Sequence, residues 1–215
     1  MKSKTLYTLL LFIAFSLCAI ALKAQGDRLF TADNELSSSM INHIYQDKEG
    51  LIWISTEDGL NCYDGAKFRV YREMVKDAVS SNFVSYTFED SHKRLFIGTL
   101  DGVLLHNKAT GTFKKIPFNL HTNPHMNAHV TCIIERQNGD ILVGTTSHGT
   151  FQVKAEGDSL YLKQDISLAP SLAINTLYED RDKRLWVATT DKGIYLVDGE
   201  NQNEEIFNPD NVQFS

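Results

Sequence analysis

Four times along the chain a short apolar run passes through small residues into a threonine and then a glycine turn. Leu51, Ile52, Trp53 and Ile54 lead through Ser55 and Thr56 to Asp58-Gly59, and Leu95 to Gly102 follows the same plan. Ile141 to Gly149 and Leu185 to Gly193 repeat it with one extra turn residue. The threonines Thr56, Thr99, Thr145 and Thr189 recur about every 44 residues, a period that, built of short β-like runs, marks a repeat array. Each repeat opens with a run such as Ile41-Asn42-His43-Ile44-Tyr45. Aligned on the threonines, Val84, Val130 and Ile174 share the column of Ile41, while Thr87, Ile133 and Leu177 share that of Ile44. These runs are short and apolar on both faces, which suits strands enclosed between neighbouring sheets.

Turns at Lys48-Glu49-Gly50, Ser91-His92-Lys93, Gln137-Asn138-Gly139 and Arg181-Asp182-Lys183 join the opening run to the second run as a hairpin. A third run leaves the glycine turn, and a fourth closes the repeat at Phe68–Tyr71, Phe113–Ile116, Leu160–Leu162 and 205–207. No stretch longer than a turn has helical periodicity, so the chain reads as all-β, four four-stranded antiparallel meanders. Units of this kind in series form β-propeller blades, with bounds near 39–73, 81–118, 127–164 and 171–207. Trp53, Phe96, Leu142 and Trp186 are expected to fill the space between blades, and small Ser55, Gly98, Gly144 and Ala188 to let them approach. Gly59, Gly102, Gly149 and Gly193 would supply the turn backbone. Leu29 and Phe30, ahead of the first repeat, read as half a strand.

The first 24 residues carry Lys2 and Lys4, an apolar run from Leu6 to Leu22, and Ala24 before the expected cut. This is the pattern of a secretory signal peptide, an uncleaved anchor being the alternative, and it implies a periplasmic product spanning 25–215. Phe15, Ser16 and Leu17 do not suit lipid attachment at Cys18. The formal net charge is −6, and removing the leader with its lysines makes it more negative. Nucleic acid and anionic membrane surfaces are therefore poor partners, and no nucleic acid is expected on this chain. Cys62 and Cys132 lie in apolar runs of different repeats without metal-ligand spacing, and are expected to be buried free thiols.

The run from Asn42 through Gln46-Asp47-Lys48-Glu49-Gly50-Leu51-Ile52-Trp53-Ile54 to Thr56-Glu57-Asp58-Gly59-Leu60-Asn61 and Tyr63-Asp64-Gly65 resembles the two-component regulator propeller repeat. The fourth repeat is similar, with Tyr178-Glu179-Asp180 and Leu185-Trp186-Val187-Ala188-Thr189. The second and third depart from it, carrying Phe96 and Leu142 for the tryptophan, Arg136 for the aspartate and His148 before the glycine. The resemblance covers all of residues 25–215. It implies the periplasmic sensor of a bacterial hybrid histidine kinase, many of which detect oligosaccharides released from polysaccharides. Such sensors carry more repeats, a further β domain, a membrane helix and a kinase core. The chain stops at Ser215 where another repeat would begin, so a severed sensor gene and an incomplete propeller are expected. In that reading a membrane is reached only through missing C-terminal parts. A closed ring of four blades, locked by Leu29 and Phe30, is the alternative.

Groups that recur in register are explained first by their turns. Asp47, Asp90 and Asp180, or Asp58 and Asp101, look like acid pairs, but catalysis needs two carboxylates converging once across one bond. No Gly-x-Ser-x-Gly and no glycine-rich phosphate loop is present, and no catalytic residue and no cofactor are expected. His121, His125 and His129 fall four apart in a spacer, but Pro124 opposes a helix that would align them, leaving weak metal candidates. Sugars are gripped by polar groups and aromatic faces on loops at one end of a scaffold. Glycine turns and inter-blade spacers share one end of a propeller, which would carry Glu57, Asp58, Arg72, Asp101, His148 and Lys192 as ligand-binding candidates. The partners expected are an oligosaccharide or other small extracytoplasmic ligand and a homodimer mate. A free-standing periplasmic carbohydrate-binding or scaffold propeller is the second reading, and a periplasmic glycan lyase or hydrolase the third.

Overall fold

The computed structural model describes residues 27–73, 79–118, 128–165, 172–198 and 201–207, the last strand by its backbone. The expected leader, His121 and His125 lie outside these residues. The chain divides into a short unit ending at Phe30 and a second, Thr31–Ser215, which holds every strand. In the first unit, Leu29 and Phe30 form no strand. Leu29 is 78% exposed.

The second unit contains four antiparallel sheets of four consecutive strands. The first comprises β1 (Ile41–Gln46), β2 (Ile52–Thr56), β3 (Gly59–Tyr63) and β4 (Phe68–Tyr71). The second comprises β5 (Val84–Glu89), β6 (Leu95–Thr99), β7 (Gly102–Asn107) and β8 (Thr112–Lys115). The third runs through β9 (Val130–Glu135), β10 (Ile141–Thr145), β11 (Thr150–Glu156) and β12 (Ser159–Asp165). The fourth consists of β13 (Ile174–Glu179), β14 (Leu185–Thr189), β15 (Ile194–Asp198) and β16 (Asn201–Phe207).

Packing between sheets runs in chain order. β1 lies against β5, β5 against β9 and β9 against β13, supported by β2 on β5, β6 on β9 and β10 on β13. Among the described residues the array is open, as an incomplete propeller. Three apolar layers fill the junctions. Trp53 and Cys62 meet Val84, Leu95, Ile97 and Leu104; Phe96 and Val103 meet Val130, Ile141, Val143 and Phe151; Cys132 and Leu142 meet Ile174, Leu177, Leu185 and Val187. One face of each sheet, the forward face, thus enters the back face of the next.

The small-residue column sets the spacing. A Cβ on Gly98 would stand 2.6 Å from Cγ1 of Val130, and one on Gly144 would stand 2.7 Å from Sγ of Cys132 and Cγ2 of Ile174. Ser55 fits its junction by a hydrogen bond, its Oγ lying 2.8 Å from Oγ1 of Thr87. Both cysteines are free and buried. The opening strands hold a feature the apolar pattern did not show. Each is bulged at one residue, Asn42, Ser85, Thr131 or Asn175, where the register with the second strand shifts.

Candidate ligand-binding face

The threonine column builds the turns at one end of the array. In each blade the threonine hydroxyl donates to the carbonyl of the turn glycine: Thr56 to Gly59, Thr99 to Gly102, Thr145 to Gly149 and Thr189 to Gly193, at 2.8 to 3.0 Å. The same oxygen accepts a backbone N–H from Asp58, Asp101, His148 or Lys192. A left-handed backbone follows at the glycine, with φ of +128° at Gly59 and +65° at Gly149. Two of the turns are tied forward, the Gly59 N–H to the carbonyl of Asn82 and the Gly149 N–H to that of Leu172. The tips are therefore held on a fixed scaffold while their side chains face outward.

Every ligand-binding candidate falls at this end, one turn to a blade. Glu57 and Asp58 lie on the β2–β3 turn, Asp101 on β6–β7, His148 on β10–β11 and Lys192 on β14–β15, with Arg72 just after β4. Only one pair of them is in contact. Arg72 Nη2 lies 3.0 Å from Oδ2 of Asp58, and its guanidinium also donates to the carbonyls of Asp58 and Ser37. Arg72 is a brace for the first turn as well as a surface cation. His148 Nδ1 pairs with Ser147 Oγ at 2.8 Å, and the His148 carbonyl accepts from Gln164. Lys192 Nζ is 3.9 Å from Asp191. Exposed Leu100 and Met40 add apolar surface near the first and second turns. His129, the described member of the histidine spacer, is half-buried and edge-on to Phe83 at 5.3 Å. Burial lowers its pKa.

The opposite end carries Asp47, Asp90 and Asp180, and each is engaged by its own hairpin. Asp47 accepts from the Trp53 indole at 2.9 Å and from the N–H groups of Glu49 and Leu51. Burial pushes its carboxyl up, but these bonds and Lys108 bring it below the ordinary value. Asp180 repeats the plan with Trp186 and Arg184, and the indole bond leads in holding its carboxyl at about 2. Where Phe96 replaces the tryptophan, Arg94 donates to Asp90 instead. Where Leu142 does, the aspartate is gone as well and Arg136 reaches Glu179 in the next blade at 2.8 Å.

A second acidic column escaped the sequence pattern. Glu89, Glu135 and Glu179 close the opening strands and accept the N–H of Lys48, Ser91 and Gln137 in the preceding blade at 2.5 to 2.7 Å. The signal was their identity at one position in three repeats, masked because a glutamate at a strand end reads as a solvated residue. Lys108 bridges Asp47, Glu49 and Glu89. Among the described residues, Asp90, His92 and Glu135 bring ligand-type atoms within 4.8 Å of one another. Their oxygens already serve protein donors, Arg94 on Asp90 and the Ser91 hydroxyl and N–H on Glu135. This end joins blades.

Residues 35–58 and 168–191, in the first and fourth blades, match the family model for the two component regulator propeller. Over 72 residues, 32% of this chain and 5% of the relative, the sequence is 44% identical to a histidine kinase of Formosa agariphila. The fold matches a crystal structure described as the extracellular domain of a hybrid two component system of B. thetaiotaomicron. That match has a TM-score of 0.59 and 26% identity, covering 78% of this chain and 22% of that one. Virginiamycin B lyase of Staphylococcus aureus shares the fold alone, at a TM-score of 0.61 and 16% identity over 84% of this chain and 59% of the lyase. The chain thus spans a small part of the length of its signalling relatives.

Proposed function

Because the chain carries two-component regulator propeller repeats, we propose that it is a blade-built part of an extracytoplasmic sensor of a hybrid two-component histidine kinase, one that recognises oligosaccharides on its turn-bearing end. The observation that carries the reading is the 26% identity, spread over 78% of the chain, with the extracellular domain of a hybrid two component system. The geometry is compatible with binding. Threonine-locked turns hold acidic, imidazole and ammonium tips in a row, and hydroxyl-rich ligands are oriented by such polar groups on a rigid scaffold. In this reading the chain binds and does not catalyse, since Asp47, Asp90 and Asp180 are occupied in their own hairpins.

Titration of the full chain with a panel of neutral and acidic oligosaccharides, followed by calorimetry, tests it. A saturable binder is expected. Substituting His148→Ala together with Lys192→Ala should weaken it at least tenfold, about 1.4 kcal/mol, with unchanged far-UV circular dichroism. A panel without any binder would remove the saccharide assignment, and binding untouched by the substitutions would move the site off these turns.

A further inference from the structure

In the first blade, at the end opposite the candidate turns, the β3–β4 connection frames a cavity of about 200 Å³ lined by Leu51, Cys62, Asp64, Lys67 and Arg69. Its floor is apolar. Cys62 stands between Trp53 on β2 and Arg69 on β4 in one cross-strand row, and Leu51 packs on the same apolar layer. Its rim is charged and held by the turn. Asp64 Oδ1 accepts the N–H groups of Ala66 and Lys67, both at 2.9 Å, and the Asp64 N–H donates to the Lys67 carbonyl. Gly65 supplies the left-handed backbone between them, with φ of +93°.

This rim is cationic on a chain whose formal net charge is −6. The Asp64 carboxyl is committed to its own turn, and the N–H groups of Lys67 and Ala66 lower its pKa. Among the described residues, neither Lys67 nor Arg69 pairs with a carboxylate. The Arg69 guanidinium meets the Tyr71 hydroxyl at 3.4 Å, a long contact for a group with several N–H donors. The same cross-strand pair recurs in the second blade, where Leu105 faces Lys114 as Cys62 faces Arg69. The cavity there, lined also by Lys115, Ile116, Asp158 and Leu160, is about 50 Å³. A short thiol side chain leaves open in the first blade the space that a leucine fills in the second.

We propose that this cavity binds a small organic monocarboxylate, with its carboxylate on Arg69 and Lys67 and its compact apolar body on Leu51 and Cys62. A guanidinium matches a carboxylate with two parallel hydrogen bonds. Two cations against one acid leave a single positive charge, which a monoanion neutralises. The volume lies below the roughly 300–1,000 Å³ of pockets that take drug-sized ligands, so the body is one ring or a short branched chain. The site is separate from the turn-bearing end and does not rest on the saccharide assignment.

Benzoate is the probe, and benzamide is its neutral counterpart. Calorimetry on the full chain should show saturable benzoate binding, with benzamide at least about tenfold weaker because the charge-assisted pair is lost. Arg69→Gln, at an exposed position, should weaken benzoate by a similar factor. Cys62→Leu, which installs the residue of the second blade, should abolish binding, and both variants should keep the far-UV circular dichroism of the wild type. Absence of benzoate binding, equal binding of benzamide, or benzoate binding that survives both substitutions would each overturn the proposal.

Discussion

His106 illustrates what a single repeat column can conceal. Its column holds Tyr63, Val153 and Val197, apolar bodies, and the imidazole occupies such a place: 8% exposed, 4.6 Å from Phe113 and 5.2 Å from Trp53, with neither ring nitrogen hydrogen-bonded. Burial, helped by Lys108, lowers its pKa from 6.5 to about 4. Folded, the ring stays neutral as pH falls below 6.5, while the unfolded chain takes the proton. Stability is therefore lost between about pH 6.5 and 4, by about 3 kcal/mol at most. Urea unfolding at pH 7 and pH 5 should show this loss, and His106→Leu should reduce the difference. A slope equal in both proteins would place the acid sensitivity elsewhere. The columns around Trp53 and Gly98 were legible because their apolarity or smallness recurs. His106 was not, since histidine in a strand suits either surface or core, and the apolar identity of its column was the only clue.

The turn and the bulge behave differently as elements. The threonine-to-glycine turn was readable from spacing, since one hydroxyl both donates and accepts in every copy. Thr145→Val keeps the shape but leaves the His148 N–H without its acceptor, which should cost about 1–2 kcal/mol. A matching fall in the urea midpoint at constant slope would confirm it, and an unchanged midpoint would mean solvent replaces the hydroxyl. The bulges at Asn42, Ser85, Thr131 and Asn175 left no comparable mark. One added residue shifts the alternation by a single place, and in strands apolar on both faces that shift is invisible. The glutamate clamps were unreadable for a related reason. Their partners are backbone N–H groups some 43 residues away, and no side chain at that distance in sequence announces the pairing. The candidate binding turns were legible as positions, but the sequence did not show that Arg72 is committed to Asp58 and Ser37.

Among the described residues the strand contacts between blades join chain neighbours, so stability should behave as a sum of blade and junction contributions. The second and third blades have two junctions each. Hydrogen exchange should then show the highest protection in β6, β7, β9 and β10 and the lowest in β1 and β13. Uniform protection would indicate a single cooperative unit. Four antiparallel meanders were readable from the period, whereas the incomplete propeller was expected from the family resemblance, since no local pattern encodes which faces remain uncovered.

Most junction hydrogen bonds run one way. Donors sit in the earlier blade and acceptors in the later one: Tyr45 to Glu89, Lys48 to Glu89 and Asp90, Gly59 to Asn82, Ser91 to Glu135, Gln137 to Glu179 and Asp180. An array with such direction can gain or lose a unit by duplication or deletion of one repeat, and every new boundary still meets donor with acceptor. Its length is free to drift while its chemistry is inherited intact.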